Sequence, residues 1–281
     1  MVATAIARSQ RWRVLRRFPT FWVGSFLVLM WVVFAIFGDF VTPYDPLGTP
    51  QDILNRLQPP SSEHWFGTDE LGRDVLSRVI AGARQVLTVA VASTVLGTIA
   101  GTAIGLLIGY FGGFIDDAVS RVLDAFLSIP LVITAMLALA ALGPNTLGVI
   151  IVIGLVFTPI IAKTVRAAVL GERQLDYVTA AQLRKENSLY IMFVEILPNV
   201  LSVVIVEFTV RLGYAIFTVL ALSFLGFGIE PQTPDWGVAI FQHYSLLTAN
   251  IWWPVLFPAL AIATLVVGVN LLADAISQAF E

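Results

Sequence analysis

The sequence predicts an all-α membrane protein with six transmembrane helices, and its composition is the first reason. The 281-residue chain is 58% hydrophobic and only 12% of its residues are charged, about half the share found in soluble domains. Its mean hydropathy is +0.87. The second reason is the presence of long runs without charged residues, since a helix crosses the hydrocarbon in about 20 residues.

The apolar runs locate the helices. Four runs contain no charged residue and a fifth is interrupted by one acidic residue and one arginine; in chain order they are Phe18–Gly38, Gln85–Ile115, Ala125–Ala162, Ile196–Phe227 and Trp236–Ala273. The run from Ala125 is long enough for two crossings, and its Gly-Pro-Asn sequence supplies the turn. We therefore expect helices over about residues 20–40, 86–110, 119–142, 146–168, 199–224 and 253–275.

Lys and Arg residues indicate the orientation of these helices, because they accumulate on the cytoplasmic side of short loops. Eleven fall on one side and four on the other. The larger group is Arg8, Arg11, Arg13, Arg16, Arg17, Arg121, Lys163, Arg166, Arg173, Arg184 and Lys185. The smaller group is Arg56, Arg73, Arg78 and Arg84. We therefore expect both termini to be cytoplasmic.

Four regions follow from these boundaries. We expect a cytoplasmic tail over residues 1–17, a first transmembrane helix over 18–41, an extracytoplasmic segment over 42–84 and a core domain with five transmembrane helices over 85–281. The core domain includes a cytoplasmic loop over 172–199. The first apolar run is longer than the apolar region of a signal peptide and no small-residue cleavage site follows it, so we expect it to be retained.

Composition also excludes several kinds of site. The chain has no Cys, which excludes disulfides and thiolate metal sites. Its two histidines, His64 and His243, are too few for a metal site built from histidines. The net charge of -3 gives no indication of nucleic-acid binding. We expect this chain to bind no metal and no cofactor.

The expected extracytoplasmic segment is Pro-rich in its first half and helical in its second half. Thr68 is the expected N-cap of that helix, and Asp74 and Arg78 have the spacing of an i,i+4 ion pair. One apolar face is predicted for Leu71, Val75, Val79 and Ile80. Two interpretations are open for this helix: it is an amphipathic elbow at the membrane surface, or it forms a docking surface for an external partner. It could also serve both purposes.

Glycines recur at every fourth position along the second predicted span. They are Gly97, Gly101, Gly105, Gly109 and Gly113. Glycines at this spacing line one side of a helix and allow another backbone to approach closely. The pattern therefore predicts a tight helix contact. A phosphate-binding loop is excluded, because no Gly-Lys-Ser/Thr sequence follows.

Two groups of charged residues lie in or beside the predicted spans. Glu207 and Arg211 are four residues apart in the fifth span, where an unpaired charge costs about 3 kcal/mol, so we expect them to pair. Such a pair is either functional or a buried structural pair. Arg121 and Asp124 have i,i+3 spacing at the start of the third span and predict a salt-bridge cluster at the cytoplasmic rim.

The segment Asp176–Asn199 is a polar island between apolar runs. Asp176 is the expected N-cap of a short helix, and Ser188 is the expected N-cap of a second helix that ends at Pro198. The small residues Ala180 and Ala181 allow a partner to approach closely. Two interpretations remain open: the helix pair rests on the membrane surface, or it binds a cytoplasmic partner.

Several motifs resemble those of ABC importer permeases. Tyr177-Val178-Thr179-Ala180-Ala181 followed by Ile196-Leu197-Pro198-Asn199 is similar to the cytoplasmic loop of these permeases, which reads E-A-A, three residues, G, nine residues and I-L-P-N. The sequence HWFGTDELGRD at 64–74 resembles the segment after the first span in the C-type permease of dipeptide and oligopeptide importers. LSFLGFG at 222–228 and PQTPDWG at 231–237 look like that family's fifth-span exit. The resemblance covers about residues 20–280.

This resemblance implies a type I ABC importer permease fold in the cell membrane and a transport role without catalysis. It implies that the permease pairs with a second, related permease, that two cytoplasmic ATPases bind the loops, and that an external binding protein delivers peptide. ATP and Mg²⁺ are then bound by the ATPase subunits. Glu207 and Arg211 become candidates for the translocation pathway.

The resemblance also assigns ATPase coupling to residues of the 172–199 loop. They are Asp176, Tyr177, Thr179, Ala180, Ala181, Arg184, Lys185, Glu195 and Pro198. The chain departs from the family pattern at three of them: Thr179 replaces Glu, Lys185 replaces the bend Gly, and Glu195 replaces a frequent His. The missing Gly is the residue that most readily turns left-handed after a helix, and Asn187, two positions on, tolerates that conformation.

Two other functions remain open. A stand-alone secondary transporter would use Glu207 as a proton or ion site. An intramembrane hydrolase would use polar residues within the spans, but the histidines are external and no Ser lies in a G-x-S-x-G sequence.

Overall fold

The computed structural model describes residues 18–48, 54–143, 145–227 and 233–280, which form an all-helical membrane protein. The α-helices are α1 (Pro19–Val41), α2 (Val75–Phe111), α3 (Gly113–Leu127), α4 (Leu131–Leu142), α5 (Thr146–Glu172), α6 (Asp176–Leu183), α7 (Ser188–Tyr190), α8 (Leu197–Phe224), α9 (Trp236–His243) and α10 (Trp253–Phe280). A π-helical turn, Ile191–Ile196, joins α7 to α8, and a 3-10 helix, Tyr244–Ala249, follows α9.

Five helices of the described chain are long and apolar enough to cross a membrane. They are α1, α2, α5, α10 and the continuous helix Ser188–Phe224 that α7, the π turn and α8 form together. Helices α3 and α4 meet the same criterion only as a pair, with a bend of 85° between them. The predicted all-α membrane fold is confirmed, but the prediction of one unbroken third helix over 119–142 is wrong.

The glycines of α2 pack against α5. A methyl group added to Gly97, Gly101, Gly105 or Gly109 would lie between 2.7 and 2.9 Å from an atom of α5. Gly97 faces Gly154 and Gly109 faces Val169, so the two helices run in the same direction. Gly113 begins α3 and has no atom within 4 Å of its Cβ position; the prediction that it belongs to this contact is wrong.

Because α2 and α5 are parallel, the chain between them must return across the membrane. Helix α4 has 12 residues and therefore spans only about 18 Å, less than the ~30 Å hydrocarbon core. Helices α3 and α4 must share the crossing. The break between them follows from Pro130, which has no N–H and disfavours a helical conformation at Ile129.

Two ion pairs hold α3 against α5. The Asp116 carboxylate accepts hydrogen bonds from Nε and Nη2 of Arg166, the second at 2.6 Å, and Asp124 pairs with Lys163. The predicted pairing of Asp124 with Arg121 is wrong within the described residues. Spacing along one helix cannot identify a cation that a later helix supplies.

The helix that begins at Ser188 continues to Phe224, so the prediction that Pro198 ends it is wrong. In a regular helix the proline ring would clash with the carbonyl group four residues earlier. The preceding turn is widened instead, and the Leu197 N–H donates to the Met192 carbonyl oxygen, five residues back. A π turn at this place accommodates the proline without ending the helix.

The segment before α2 lies at the end of the molecule opposite α6. Helix α2 begins at Val75, and the Asp74 carboxylate caps it by accepting from the Ser77 N–H at 2.8 Å. The predicted helix start at Thr68 is wrong, because Thr68 and Asp74 form an isolated β-bridge. Residues 75–84 are the first turns of α2, and no separate elbow helix precedes them within 54–74.

The ion pairs of this segment also differ from the expected ones. Asp74 contacts the His64 ring nitrogen Nδ1 at 2.9 Å, and not Arg78 as predicted. Arg78 donates to the Pro46 carbonyl oxygen at 2.9 Å and lies 3.8 Å from Asp69. Asp69 also accepts from Arg73 Nε at 2.7 Å. The segment is therefore a folded cap with buried ionic contacts.

Candidate functional site

Helix α6 presents one face to the outside at its end of the bundle. Asp176, Thr179, Ala180 and Leu183 are all exposed and follow the spacing of a single helical face. Ala181 is 0% exposed and packs inside its own chain. The prediction that Ala181 contacts a partner together with Ala180 is therefore wrong, and Ala180 alone remains available.

The first turn of α6 differs in detail from the expected one. Leu175 is the N-cap and no side chain caps the helix, so Asp176 is the first helical residue and not the predicted cap. Its carboxylate lies in the first turn, where the helix dipole favours a negative charge. The exposed Asp176 therefore contributes charge to the outward face of α6.

Tyr177 connects α6 to α5. Its hydroxyl donates a 2.6 Å hydrogen bond to Oε2 of Glu172, the last residue of α5. Asn199, in the first turn of α8, donates from Nδ2 to the Glu195 carbonyl oxygen at 2.8 Å. Burial and the Glu172 hydrogen bond raise the pKa of Tyr177 to about 12. The hydroxyl therefore stays protonated at neutral pH and remains a donor to Glu172.

Lys185 makes the bend after α6. It adopts the left-handed conformation, with φ of 58°. The Lys185 N–H donates to Gln182 and the Glu186 N–H donates to Ala181, which is the Schellman arrangement usually completed by Gly. Asn187, which also tolerates this conformation, does not adopt it, since its φ is -64°.

Asn187 begins the next helix instead. Its side chain accepts from the Leu189 N–H at 3.1 Å, so Asn187 is the N-cap in place of the predicted Ser188. An ion pair closes the loop, because Arg184 at the end of α6 lies 3.1 Å from Glu195 in the π turn. Pro198 is exposed just beyond it. Glu195, which replaces a frequent His, thus has a partner in its own chain.

Sequence reasoning missed three residues of this site. Leu183 is 79% exposed on the same face as Ala180, and its spacing of seven from Asp176 was a usable signal. Glu172 holds Tyr177 and Asn199 bonds the Glu195 carbonyl oxygen, but nothing in the local pattern joins either residue to its partner. We call the site formed by α6, the bend and the π turn the coupling loop.

The charged pair in the long helix lies apart from the coupling loop. Arg211 Nε donates to Glu207 Oε2 at 2.9 Å, and the two side chains are about 15% exposed. The Arg211 guanidinium also lies 5.3 Å from the centre of the Tyr214 ring, within range of a cation–π contact. The two charges pair as predicted.

The described residues of the motifs at 222–228 and 231–237 form one junction at the end opposite α6. Helix α8 ends at Phe224, and Gly226, two residues later, has φ of 83°. The Phe227 N–H donates to the Leu222 carbonyl oxygen. Ser223 Oγ donates to the Asp235 carboxylate at 3.0 Å, and Asp235 caps α9 by accepting from the Val238 N–H. Burial raises the pKa of Asp235 above its ordinary value.

Trp236 attaches this junction to α2. Its indole N–H donates to the Val79 carbonyl oxygen at 2.9 Å, and the ring packs edge-on against Trp31 of α1. Gly82 leaves room for the indole, since a methyl group there would lie 2.6 Å from its nitrogen. The motif residues thus join α1, α2, α8 and α9. Within the described residues, no cluster of acidic or histidine side chains is arranged to hold a metal ion.

Comparisons with known proteins identify the family. Residues 101–281 match the family described as binding-protein-dependent transport system inner membrane component. Residues 8–60 match the N-terminal TM domain of oligopeptide transport permease C. Together the two matches cover most of the chain, including the coupling loop and the junction.

Full-length relatives agree with these matches. The chain is 37% identical to the di/tripeptide transport system permease protein DppC of Pseudomonas aeruginosa, over 92% of this chain and 87% of that protein. It is 38% identical to the dipeptide transport system permease protein DppC of Escherichia coli, over 96% of this chain and 91% of that protein. The chain therefore belongs to the family of binding-protein-dependent transport system inner membrane components.

Proposed function

We propose that this chain forms one half of the pathway of an ATP-driven peptide importer and that the coupling loop receives force from the ATPase. As an inner-membrane component of a binding-protein-dependent system, it is a non-catalytic permease subunit that works with a binding protein and a separate ATPase. The observation that carries the coupling role is the exposed face of α6. This short helix lies between two long spans in the chain and is bonded to the first of them through Tyr177.

Peptides are the proposed cargo. Relatives that share more than a third of the residues over nearly their full length are named as dipeptide or di/tripeptide permeases. The segment that resembles C-type peptide permeases, residues 64–74, forms the folded cap at the end opposite α6. In the proposed orientation this cap is extracytoplasmic, where a binding protein docks, and α6 is cytoplasmic.

The proposed assembly contains a second, related permease and two ATPase subunits in the membrane-bound complex. The second permease supplies the other half of the pathway, as the resemblance to ABC importer permeases implies. Two ATPases match two permeases, one at each coupling loop. ATP and Mg²⁺ bind in the ATPase subunits.

The proposed mechanism is rigid-body transfer of motion. Helix α6 is held at its start by Tyr177, which bonds Glu172 of α5, and at its end by Arg184, which pairs with Glu195. Displacement of α6 therefore moves α5 and the helix Ser188–Phe224 together. Because α5 is packed tightly on α2, the motion reaches three membrane helices and changes access to the pathway.

The stand-alone secondary transporter receives no support from the geometry. The Glu207 carboxylate already accepts a hydrogen bond from Arg211, one turn further along the same helix, so it is not a free site for a transported ion. The intramembrane hydrolase is likewise unsupported, since His64 contacts Asp74 in the cap and His243 contacts the Ala239 carbonyl oxygen. Neither histidine ring is hydrogen-bonded to a serine hydroxyl in the described residues.

Reconstitution tests the proposal. The chain is placed in liposomes with its second permease, the ATPases and the binding protein, and uptake of a labelled dipeptide is measured with ATP, with a non-hydrolysable ATP analogue, and with an imposed proton gradient. Of these three conditions, we expect uptake only with hydrolysable ATP. Uptake driven by the gradient without ATPase subunits would contradict the proposal and support a secondary transporter.

A further inference from the structure

The break between α3 and α4, Ser128–Pro130, lies inside the crossing that the two helices share. It borders a cavity of about 330 Å³ whose other wall is formed by α5, from Val152 to Ile160. Helix α5 runs from Thr146 to Glu172, so these wall residues lie well inside it. The break is therefore within the membrane, one helical turn beyond Asp124, which pairs with Lys163.

The backbone at the break is open. Ser128, Ile129 and Pro130 are all exposed in the isolated chain. The Ser128 N–H and hydroxyl bond back to Asp124 and Ala125, but no described residue donates a hydrogen bond to the carbonyl oxygens of Leu127, Ser128 and Ile129. Non-helical backbone at membrane depth is tolerated only inside protein or beside water, so this surface does not face lipid.

Water is the environment that the neighbouring helices favour. Helix α4 contacts α8, which carries the Glu207–Arg211 pair, the other feature of these spans that avoids lipid. Two adjacent helices thus present lipid-incompatible groups. A partner helix would have to supply a separate donor for each free carbonyl group, whereas water satisfies all of them without matched side chains.

We propose that Ser128–Pro130 lines the water-filled translocation pathway and that the adjoining cavity accepts an apolar side chain of the transported peptide. The cavity opens at the break, and its lining is apolar apart from Thr134. Its volume falls at the lower end of ligand pockets, and an apolar cavity favours an apolar occupant over water. This inference rests on the proposed peptide transport.

Cysteine labelling tests the water-filled surface, and the natural absence of Cys leaves no background from this chain. Ser128→Cys and Ile129→Cys are each introduced into the complete complex in lipid nanodiscs and treated with a charged, membrane-impermeant thiosulfonate. The control is Phe26→Cys, which is 68% exposed on the unbroken helix α1. We expect both break positions to react at least ten-fold faster than the control.

Equal, slow reaction at all three positions would overturn the assignment and place the break against a partner subunit. Peptide uptake is measured on the same preparations. Slow labelling in a complex that transports peptide refutes this inference alone, whereas absence of ATP-driven uptake in the unmodified complex refutes the proposed function.

A cavity-filling variant tests the peptide side-chain site. Ala138→Leu projects into the cavity, and Ala140→Leu on the exposed side of α4 is the matched control. We expect Ala138→Leu to reduce uptake of Phe-Phe at least three-fold more than uptake of Gly-Gly, with no such difference for the control. Equal effects of Ala138→Leu on both peptides would refute the side-chain site.

Discussion

The Tyr177 hydroxyl donates a 2.6 Å hydrogen bond to the carboxylate of Glu172 across the joint between α5 and α6. Glu172 is the last residue of a helix that crosses the membrane, and Tyr177 is the second residue of the helix that faces the ATPase in our proposal. One side-chain contact therefore joins the proposed docking element to a span. This contact makes coupling testable by the removal of a single atom.

Tyr177→Phe keeps the ring and removes only the hydroxyl. We expect the complex to assemble and ATP hydrolysis to continue, while peptide transported per ATP falls at least about ten-fold, because losing a hydrogen bond to a charged group costs about 1.5–3 kcal/mol. The control is Tyr190→Phe, whose hydroxyl bonds no other described residue. Unchanged stoichiometry for Tyr177→Phe would show that the contact plays no part in coupling.

A second pair of variants separates coupling from local packing. Glu172→Gln retains an acceptor for the Tyr177 hydroxyl and should keep most of the coupling, whereas Glu172→Ala should lose it. In the double variant Tyr177→Phe/Glu172→Ala we expect no further loss. Additive losses would mean that the two residues act independently.

Lys185→Gly should stabilise the bend after α6. A side chain in the left-handed conformation costs about 1–2 kcal/mol, which Gly avoids. We expect hydrogen exchange of the Lys185 and Glu186 amides to slow by at least about five-fold. Gly226→Lys, at the corresponding position after α8, should show the opposite effect. Faster exchange in Lys185→Gly would indicate that contacts of the lysine side chain outweigh the backbone strain.

Much of the fold follows from local sequence, whereas long-range pairing does not. The lengths of the apolar runs predicted the helices, and the glycine spacing predicted a close helix contact, because both are periodic properties of one helix. The cation that pairs with Asp124 is Lys163, and the partner of Tyr177 is Glu172. Such partners depend on how helices are placed in space.

The predicted helix boundaries were wrong at prolines and caps, where the outcome depends on the neighbouring residues as well as on the residue type. Pro130 divides the third span, whereas Pro198 is accommodated by a π turn, and the residue type alone does not distinguish the two outcomes. The bend at Lys185 is a similar case. The hydrogen bonds that end α6 require a left-handed residue at this position, and Lys185 adopts that conformation although its residue type does not favour it. Exposure likewise separates Ala180 from Ala181 although their sequence context is the same.

The glycine contact between α2 and α5 predicts a position-specific effect on stability. Gly101→Val would place atoms within 3 Å of Ile161, and such overpacking costs about 1–3 kcal/mol or more. We expect a lower thermal unfolding temperature for the purified complex. Gly171→Ala is the control, since nothing lies within 4 Å of its Cβ position. Equal unfolding temperatures for the two variants would contradict the close packing.

Asp235 should make stability depend on pH. Burial raises its pKa above the ordinary value of 3.8, so the folded protein holds this proton more tightly than the unfolded chain does. The stabilising contribution is complete below about pH 3.8 and is lost as pH rises through the higher folded pKa. Asp235→Asn keeps an acceptor for the Val238 N–H and removes the titration.

We therefore expect thermal stability to fall less with rising pH in Asp235→Asn than in the unmodified protein. Asp45→Asn, which changes an exposed carboxylate in the same end of the molecule, should leave the dependence unaltered. Identical pH profiles for Asp235→Asn and the unmodified protein would show that Asp235 does not titrate in this range.

Site-directed cross-linking tests the central claim most directly, namely that the exposed face of α6 contacts the ATPase. Ala180→Cys and Ala181→Cys differ by one position, but Ala180 is exposed and Ala181 is 0% exposed. With a short thiol-to-amine cross-linker in the assembled complex, we predict a covalent product with the ATPase from Ala180→Cys and none from Ala181→Cys. Absence of any product from Ala180→Cys, in a complex that still transports peptide, would contradict the account.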